Sequence, residues 1–141
     1  MNSHKTAISR IRPSVPARFL YENDLIVGKA LDYGCGKGRD ADTYGMSKYD
    51  PHYAPYMPKG KFDTIMCNYV VNTVNTEVEA TILSKIKQLL HGTGIAYITV
   101  RRDIVQEGVT KKGTYQRKVY LDLPVVKETD KFCIYVMKGK E

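Results

Sequence analysis

The 141-residue chain reads as a single α/β domain, residues 1–141, built on a mostly parallel sheet that closes with an antiparallel C-terminal hairpin. Three observations predict it. A short apolar run at 29–33 breaks into Gly34, Gly36 and Gly38 at two-residue spacing, the pattern of a buried strand turning sharply into a helix. Two further apolar runs, 62–66 and 95–100, flank a stretch of helical periodicity, which is the order of a parallel crossover. The last two strand-like runs, 118–123 and 132–137, surround a turn with Pro124 at its edge, as in an antiparallel pair.

Taken in order, residues 1–13 form a basic N-terminal arm with His4, Lys5, Arg10 and Arg12 and no acid. Ser14 is a plausible N-cap for a helix with Pro16 in its first turn, Phe19 and Leu20 on its apolar side and an end near Asn23. The strand at 29–33 follows, and then a short helix over 39–44 that Gly45 ends. Residues 46–50 predict a short strand. Between 51 and 60, three prolines and a glycine forbid both a regular helix and a central strand. After the strand at 62–66, Thr76 and Glu79 read as a capping box. That helix runs to about His91, with Val78, Ile82, Ile86, Leu89 and Leu90 on one face, Lys85 and Lys87 in solvent, and Gly92 as its stop. The strand at 95–100 should deliver Arg101, Arg102 and Asp103 to the rim of the ligand crevice. From 101 to 118 runs a basic loop of six basic and two acidic residues, loosened by Gly108 and Gly113, with Tyr115 and Gln116 beside Arg117. It is the best nucleic-acid contact the sequence offers.

A net charge of +7 favours an anionic partner, nucleic acid above all, although the same charge also serves solubility. Cys35, Cys67 and Cys133 form no pair at metal-ligand spacing and read as reduced and buried, so no metal is expected. No apolar run reaches the length of a signal peptide or a membrane span. The expectation is a soluble cytoplasmic protein with no membrane partner, a monomer or weak homodimer.

The glycine turn carries the chemistry. Its order is Asp32-x-Gly34-x-Gly36-x-Gly38, carboxylate first, and not the G-x-G-x-x-G that aims a helix at a pyrophosphate. An acid in that position repels phosphates and favours a cationic amine, which suits an adenosine carrying an amino acid. Asp50 stands eighteen residues after Asp32, near the offset at which a carboxylate meets ribose hydroxyls.

Residues 32–38, Asp50 and the stretch Phe62-Asp63-Thr64-Ile65-Met66-Cys67-Asn68-Tyr69-Val70-Val71-Asn72 resemble the S-adenosylmethionine-dependent methyltransferases of the Rossmann-like class. More narrowly, residues 31–38, 49–55 and 68–72 are similar to small methyltransferases of phages and of DNA-phosphorothioation gene neighbourhoods, over about residues 4–103. His4, Thr6, Ala7, Ile8 and Arg10 match a stretch of those phage proteins. The resemblance implies S-adenosylmethionine as cofactor, held by Asp32, Tyr33, Gly34, Cys35, Gly36, Gly38, Asp50, Pro51, Cys67 and Asn68. It implies a Rossmann-like methyltransferase fold in a minimal version, because 51–60 leaves no room for the usual third strand and its helix. It also places Asn68 and Tyr69 between the sulfonium methyl and the acceptor, as the catalytic pair.

Arg10, His52, Tyr53, Arg101 and Arg102 are the candidates for binding substrate, with Tyr49, Tyr53, Tyr56 and His52 able to stack on adenine or a flipped base or to plug the side left bare. Asn68 is followed by Tyr69 and Val70, without the proline pair of amino-methylating DNA enzymes. Cys67 lacks the preceding proline of a cytosine-attacking thiolate and needs no chemistry as a buried strand-end residue. Methyl transfer asks mainly for alignment and exclusion of water, so the lack of an acid–base dyad does not count against it. The expected acceptor is nucleic acid, DNA before RNA. The alternatives are a small molecule or nucleotide, or a catalytically silent cofactor- or DNA-binding accessory protein.

Overall fold

The computed structural model describes residues 12–140, so Arg10 and most of the basic arm lie outside the described residues. Helix α1 (Val15–Glu22) starts at Ser14, whose hydroxyl accepts from Ala17 N–H, and buries Pro16, Ala17 and Leu20. Strand β1 (Ala30–Tyr33) is buried along its whole length and runs through the glycine turn into α2 (Arg39–Tyr44), which Gly45 closes in the left-handed conformation. Strand β2 (Ser47–Tyr49) pairs parallel with β1 on one side, while β3 (Phe62–Asn68) pairs parallel with it on the other. Between β2 and β3 the chain makes turns and one isolated bridge, Asp50 to Ala54, with no helix or ladder strand, as the prolines dictate.

Helix α3 (Thr76–Leu89) follows a 3-10 turn at Val71–Thr73 and passes directly into β4 (Leu90–Arg101), parallel to β3. A small hairpin, β5 (Gly108–Val109) with β6 (Tyr115–Gln116), leads to the antiparallel pair β7 (Val125–Glu128) and β8 (Phe132–Lys138). Sheet order is β2-β1-β3-β4-β8-β7, with β8 antiparallel to β4. The expected sheet is therefore present, mostly parallel with an antiparallel end.

Strand alternation sorts the core into two layers. Leu31, Ile65, Cys67, Ile98 and Val100 face α3 and its Ile86, whereas Ala30, Met66, Tyr97 and Ile134 face α1 and α2 through Leu20 and Ala41. Each such fully buried aliphatic side chain is worth about 1.5–3 kcal/mol.

Four local expectations are corrected. The cap of α3 is Asn75, whose Oδ1 accepts from Val78 N–H at 2.9 Å, and Thr76 is already helical. Glu79 does not turn back to the cap because Arg117 takes its carboxylate at 2.6 Å. The helix stops at Leu89, not His91, since Leu90 is extended and paired with Phe62, so Gly92 lies inside β4. The penultimate strand is Val125–Glu128 and not 118–123; among 118–123, Val119 is held in the core as irregular chain. No helix among the described residues is long and apolar enough to cross a membrane, and no cluster of metal-ligating side chains occurs among them.

Candidate active site

At β1 the chain order reverses, with β2 on one side and β3 on the other, and the crevice beyond the strand C-termini is where open α/β sheets bind ligands. The glycine turn lies there, fixed by its own backbone. Gly34 N–H and Cys35 N–H both donate to Tyr49 O, at 2.7 and 3.0 Å, and Gly38 N–H donates to Cys35 O. Gly34, Gly36 and Gly38 all have positive φ. At Gly34 (φ 83°) a methyl group would stand 2.4 Å from Val70 Cγ2, so the turn is pressed against the chain leaving β3.

Asp50 locks the turn from below. Its Oδ1 accepts from Gly36 N–H at 3.1 Å and its Oδ2 from His52 and Tyr53 N–H, both at 3.0 Å, with the residue only 8% exposed. His52, Tyr53 and Pro51 are thus arranged around the same carboxylate. Asp50→Asn keeps the shape but turns an amide toward N–H donors. The expected loss is about 1–3 kcal/mol of stability, read as a lower urea midpoint, with cofactor binding weakened alongside.

Asp32 is 3% exposed, on the α1 side of β1. Burial first, then the neighbouring charges of Asp40 and Asp50, hold its carboxyl well above the usual carboxylate range. Asp40 itself ties α1 to this place, accepting from Ser14 N–H and Oγ at 2.7 Å each. Burial likewise pushes the Cys35 thiol to about 12, with Asp32 and Asp50 adding to it, and raises Cys67. Both are protonated thiols at neutral pH, which removes Cys67 as a nucleophile.

On the same face as Asp32, β3 and β4 present the register neighbours Asn68 and Thr99. Neither amide atom of Asn68, nor the hydroxyl of Thr99, finds a hydrogen-bond partner among the described residues, although all three atoms are buried. Orphaned polar atoms cost about 1–3 kcal/mol each, and their clustering at strand ends marks a place prepared for a polar ligand. Tyr69 follows in the left-handed region (φ 61°), its N–H donating to Thr99 O at 2.8 Å. Such a backbone is a strain reservoir of the kind found at ligand clamps.

Beyond Tyr69 opens a cleft of about 470 Å³, bounded by Val15 of α1, Asn72 and Thr73 of the 3-10 turn, Arg101 and Gln116. Arg101 stands at its edge as expected, paired with Asp103 at 2.8 and 3.0 Å. That pair raises the arginine and lowers the carboxyl, so both stay charged.

Arg102 is a correction. Alternation along β4 sends it to the other face, where it donates to Glu128, Val119 O and Tyr135 Oη and lies 4.3 Å from the Tyr120 ring. It braces the C-terminal strands and has no access to the cleft. Arg117 of the basic loop is likewise occupied, donating to Val74 O, Val71 O and Glu79. Among the tyrosines, Tyr49 packs on Tyr33 with ring centroids 5.0 Å apart in the α3-side core, whereas Tyr56 is 89% exposed. Tyr33, the last residue of β1, therefore turns its side chain to the α3-side layer, opposite to Asp32. The sequence gives Thr99 no role, names Asn72 only within the motif at 68–72 and Gln116 only in the basic loop; the period-two pattern through Tyr97, Thr99 and Arg101 is the available signal for the first.

No family model and no curated protein matches the chain. Solved structures do. The 1,6-didemethyltoxoflavin-N1-methyltransferase of Burkholderia thailandensis, solved with 1,6-didemethyltoxoflavin and S-adenosylhomocysteine, superposes with a TM-score of 0.64 at 15% identity, over 90% of this chain and 78% of that one. An S-adenosylmethionine-dependent methyltransferase from Clostridium acetobutylicum gives 0.56 at 10% identity, over 88% and 89%. The chain has the fold of S-adenosylmethionine-dependent methyltransferases. A third such structure, the magnesium protoporphyrin IX methyltransferase of Synechocystis with S-adenosylmethionine bound, gives 0.51 at 14% identity, over 88% and 76%. Within this methyltransferase fold the turn at 34–38, Asp50 and the end of β3 occupy the crevice at the sheet's switch point.

Proposed function

We propose that the chain is a methyltransferase using S-adenosylmethionine. The observation that carries it is the acid–glycine–acid turn at the switch point: Asp32 buried on one side, Asp50 on the other, and three positive-φ glycines between. The residues fit such a cofactor. Asp32, kept company by two other acids, gains from a cationic amine, and the bare turn lets the nucleoside lie close to the backbone. Asp50 is oriented by the backbone N–H groups of Gly36, His52 and Tyr53, which fill both sites of Oδ2 and one of Oδ1 and leave one acceptor site on Oδ1 for a ribose hydroxyl. Asn68 and Thr99 offer their unpartnered atoms at the junction between cofactor and cleft. Bound S-adenosylmethionine supplies an electrophilic methyl, and the chain's part is to align the acceptor and keep water out. Tyr69, in the cleft wall after Asn68, is the residue we assign to positioning the acceptor.

For the acceptor, nucleic acid keeps the support of the +7 charge, of exposed Lys111 and Lys112 on the β5–β6 hairpin, and of the likeness to phage methyltransferases. Against it, Arg101, Arg102 and Arg117 are committed to internal partners. A small-molecule acceptor is favoured by the cleft, whose volume lies within the roughly 300–1,000 Å³ of small-ligand sites. The neighbour from Burkholderia thailandensis carries such a molecule.

Calorimetry with S-adenosylhomocysteine tests the cofactor assignment, and transfer of a radiolabelled methyl to nucleic acid, protein and small-molecule fractions tests the activity. Saturable heat is expected with S-adenosylhomocysteine and none with NADH or ATP; the reverse would end this reading. The pH dependence follows from Asp32. A bound amine lowers the raised carboxyl, so affinity should climb as pH rises from the ordinary carboxylate range to Asp32's ligand-free value and be flat above it. Affinity that falls across that window would remove Asp32 from the site.

A further inference from the structure

The cleft beyond Tyr69 has a chemical character of its own. Its charged lining is two basic residues, Arg101 and Lys131, and two acidic ones, Asp103 and Asp130, so it sums to zero in a chain of net charge +7. Arg101, the cation best placed to fork onto a phosphate, already spends Nε and Nη2 on Asp103. Its apolar lining comes from Val15, Tyr69 and Phe132, two of them aromatic.

Asn72 gives the cleft its polarity. The side chain is fully buried in the cleft wall, and Nδ2 is committed to Gln116 Oε1 at 2.8 Å. Its backbone is held too, because Arg117 N–H donates to Asn72 O at 2.8 Å. The amide is thereby oriented, and Oδ1 finds no partner among the described residues. A buried, fixed acceptor atom with nothing to accept from selects for a donor.

Resting on the methyl-transfer reading, we infer that this cleft holds an uncharged nitrogen heterocycle of one or two rings, whose ring N–H donates to Asn72 Oδ1, and that it excludes phosphorylated acceptors. The heterocycle lies against Tyr69 and Phe132, with the Arg101–Asp103 pair closing the rim. Nucleic acid is disfavoured by the same arrangement: each base arrives with a phosphate, the Arg101 fork is held by Asp103, and Lys131, the other cation of the lining, shares it with Asp103 and Asp130.

The test uses ligand-observed NMR on the full chain with S-adenosylhomocysteine present, comparing uracil, 1,3-dimethyluracil and uridine 5′-monophosphate at equal concentration. Uracil should give saturation transfer at least fivefold stronger than either of the others. In Asn72→Leu the preference of uracil over its dimethyl analogue should vanish. Asp103 is surface-accessible, so Asp103→Asn serves where the buried substitution fails to fold; it frees Arg101 and should raise the monophosphate signal to that of uracil. Equal signals from uracil and 1,3-dimethyluracil in the wild type, a stronger signal from the monophosphate, or an unchanged ranking in Asp103→Asn would overturn the inference. Absence of any uracil signal while S-adenosylhomocysteine binds by calorimetry overturns this inference alone, whereas failure of S-adenosylhomocysteine to bind overturns the methyl-transfer reading beneath it.

Discussion

Asp32→Asn should yield a cofactor-free protein more stable than the wild type at neutral pH that nonetheless binds S-adenosylhomocysteine about ten- to a hundredfold more weakly. Both halves come from one burial. A carboxyl raised above its unfolded value binds its proton more tightly in the folded chain, so ionising it at neutral pH is paid for in stability. The sign is opposite to that of a paired carboxylate: stability of the ligand-free wild type falls as pH rises from the ordinary carboxylate range through Asp32's raised value, and the variant lacks that fall. Against this, the amide cannot offset a cation, and hydrogen bonds to charged groups are worth about 1.5–3 kcal/mol, which is about one to two decades of affinity. Denaturant unfolding at neutral and acid pH, paired with calorimetry, reads both. Unchanged binding together with unchanged stability would show that Asp32 is a spectator.

Gly34→Ala is expected to cost about 2–5 kcal/mol, the sum of about 1–2 for a side chain in the left-handed region and about 1–3 for overpacking against Val70. That is a large share of the 5–15 kcal/mol or so by which domains are stable. The double variant Gly34→Ala, Val70→Ala separates the two contributions, because it opens the space and leaves the backbone strained. It should recover part of the loss and no more. Urea midpoints at unchanged slope measure this, and a Gly34→Ala protein within about 0.5 kcal/mol of wild type would show that Val70 yields freely. Cofactor binding should fall with the single variant whatever its stability, since Gly34 and Cys35 N–H hold the turn to Tyr49 O.

Much of this was legible in the chain itself, and the misses have physical causes. The short helix Arg39–Tyr44 could be read to the residue because a glycine flanks each end, both in the left-handed conformation, and no competing signal exists. The helix after β3 was read one residue off at its start because Asn75 and Thr76 are caps of similar strength, and only the tertiary claim of Arg117 on Glu79 decides between them. Residues 118–123 carry strand-like alternation, yet β8 has just two edges, one taken by β4 and the other by Val125–Glu128. Local propensity does not record that competition. Arg101 and Arg102 were both sent to the crevice, although neighbours on a strand face opposite ways; the period-two rule alone separates them. The site's acids and glycines showed in the sequence because they are close along the chain. Thr99 and the pairing of Gln116 with Asn72 did not, because only the folded sheet and hairpin bring Thr99 and Gln116 to the 68–72 stretch.

At Leu89 and Leu90, α3 becomes β4 without an intervening residue. Past that junction β4 leaves the β3 register, with Leu90 opposite Phe62 and Ile95 opposite Thr64, so five residues of β4 span two of β3 and the regular ladder that orients Thr99 and Val100 begins only at Ile95. Evolution or an engineer wishing to enlarge this molecule therefore has latitude both in the exposed hairpin tip around Lys111 and Lys112 and in this surplus stretch at 91–94, upstream of the ladder that carries the crevice residues.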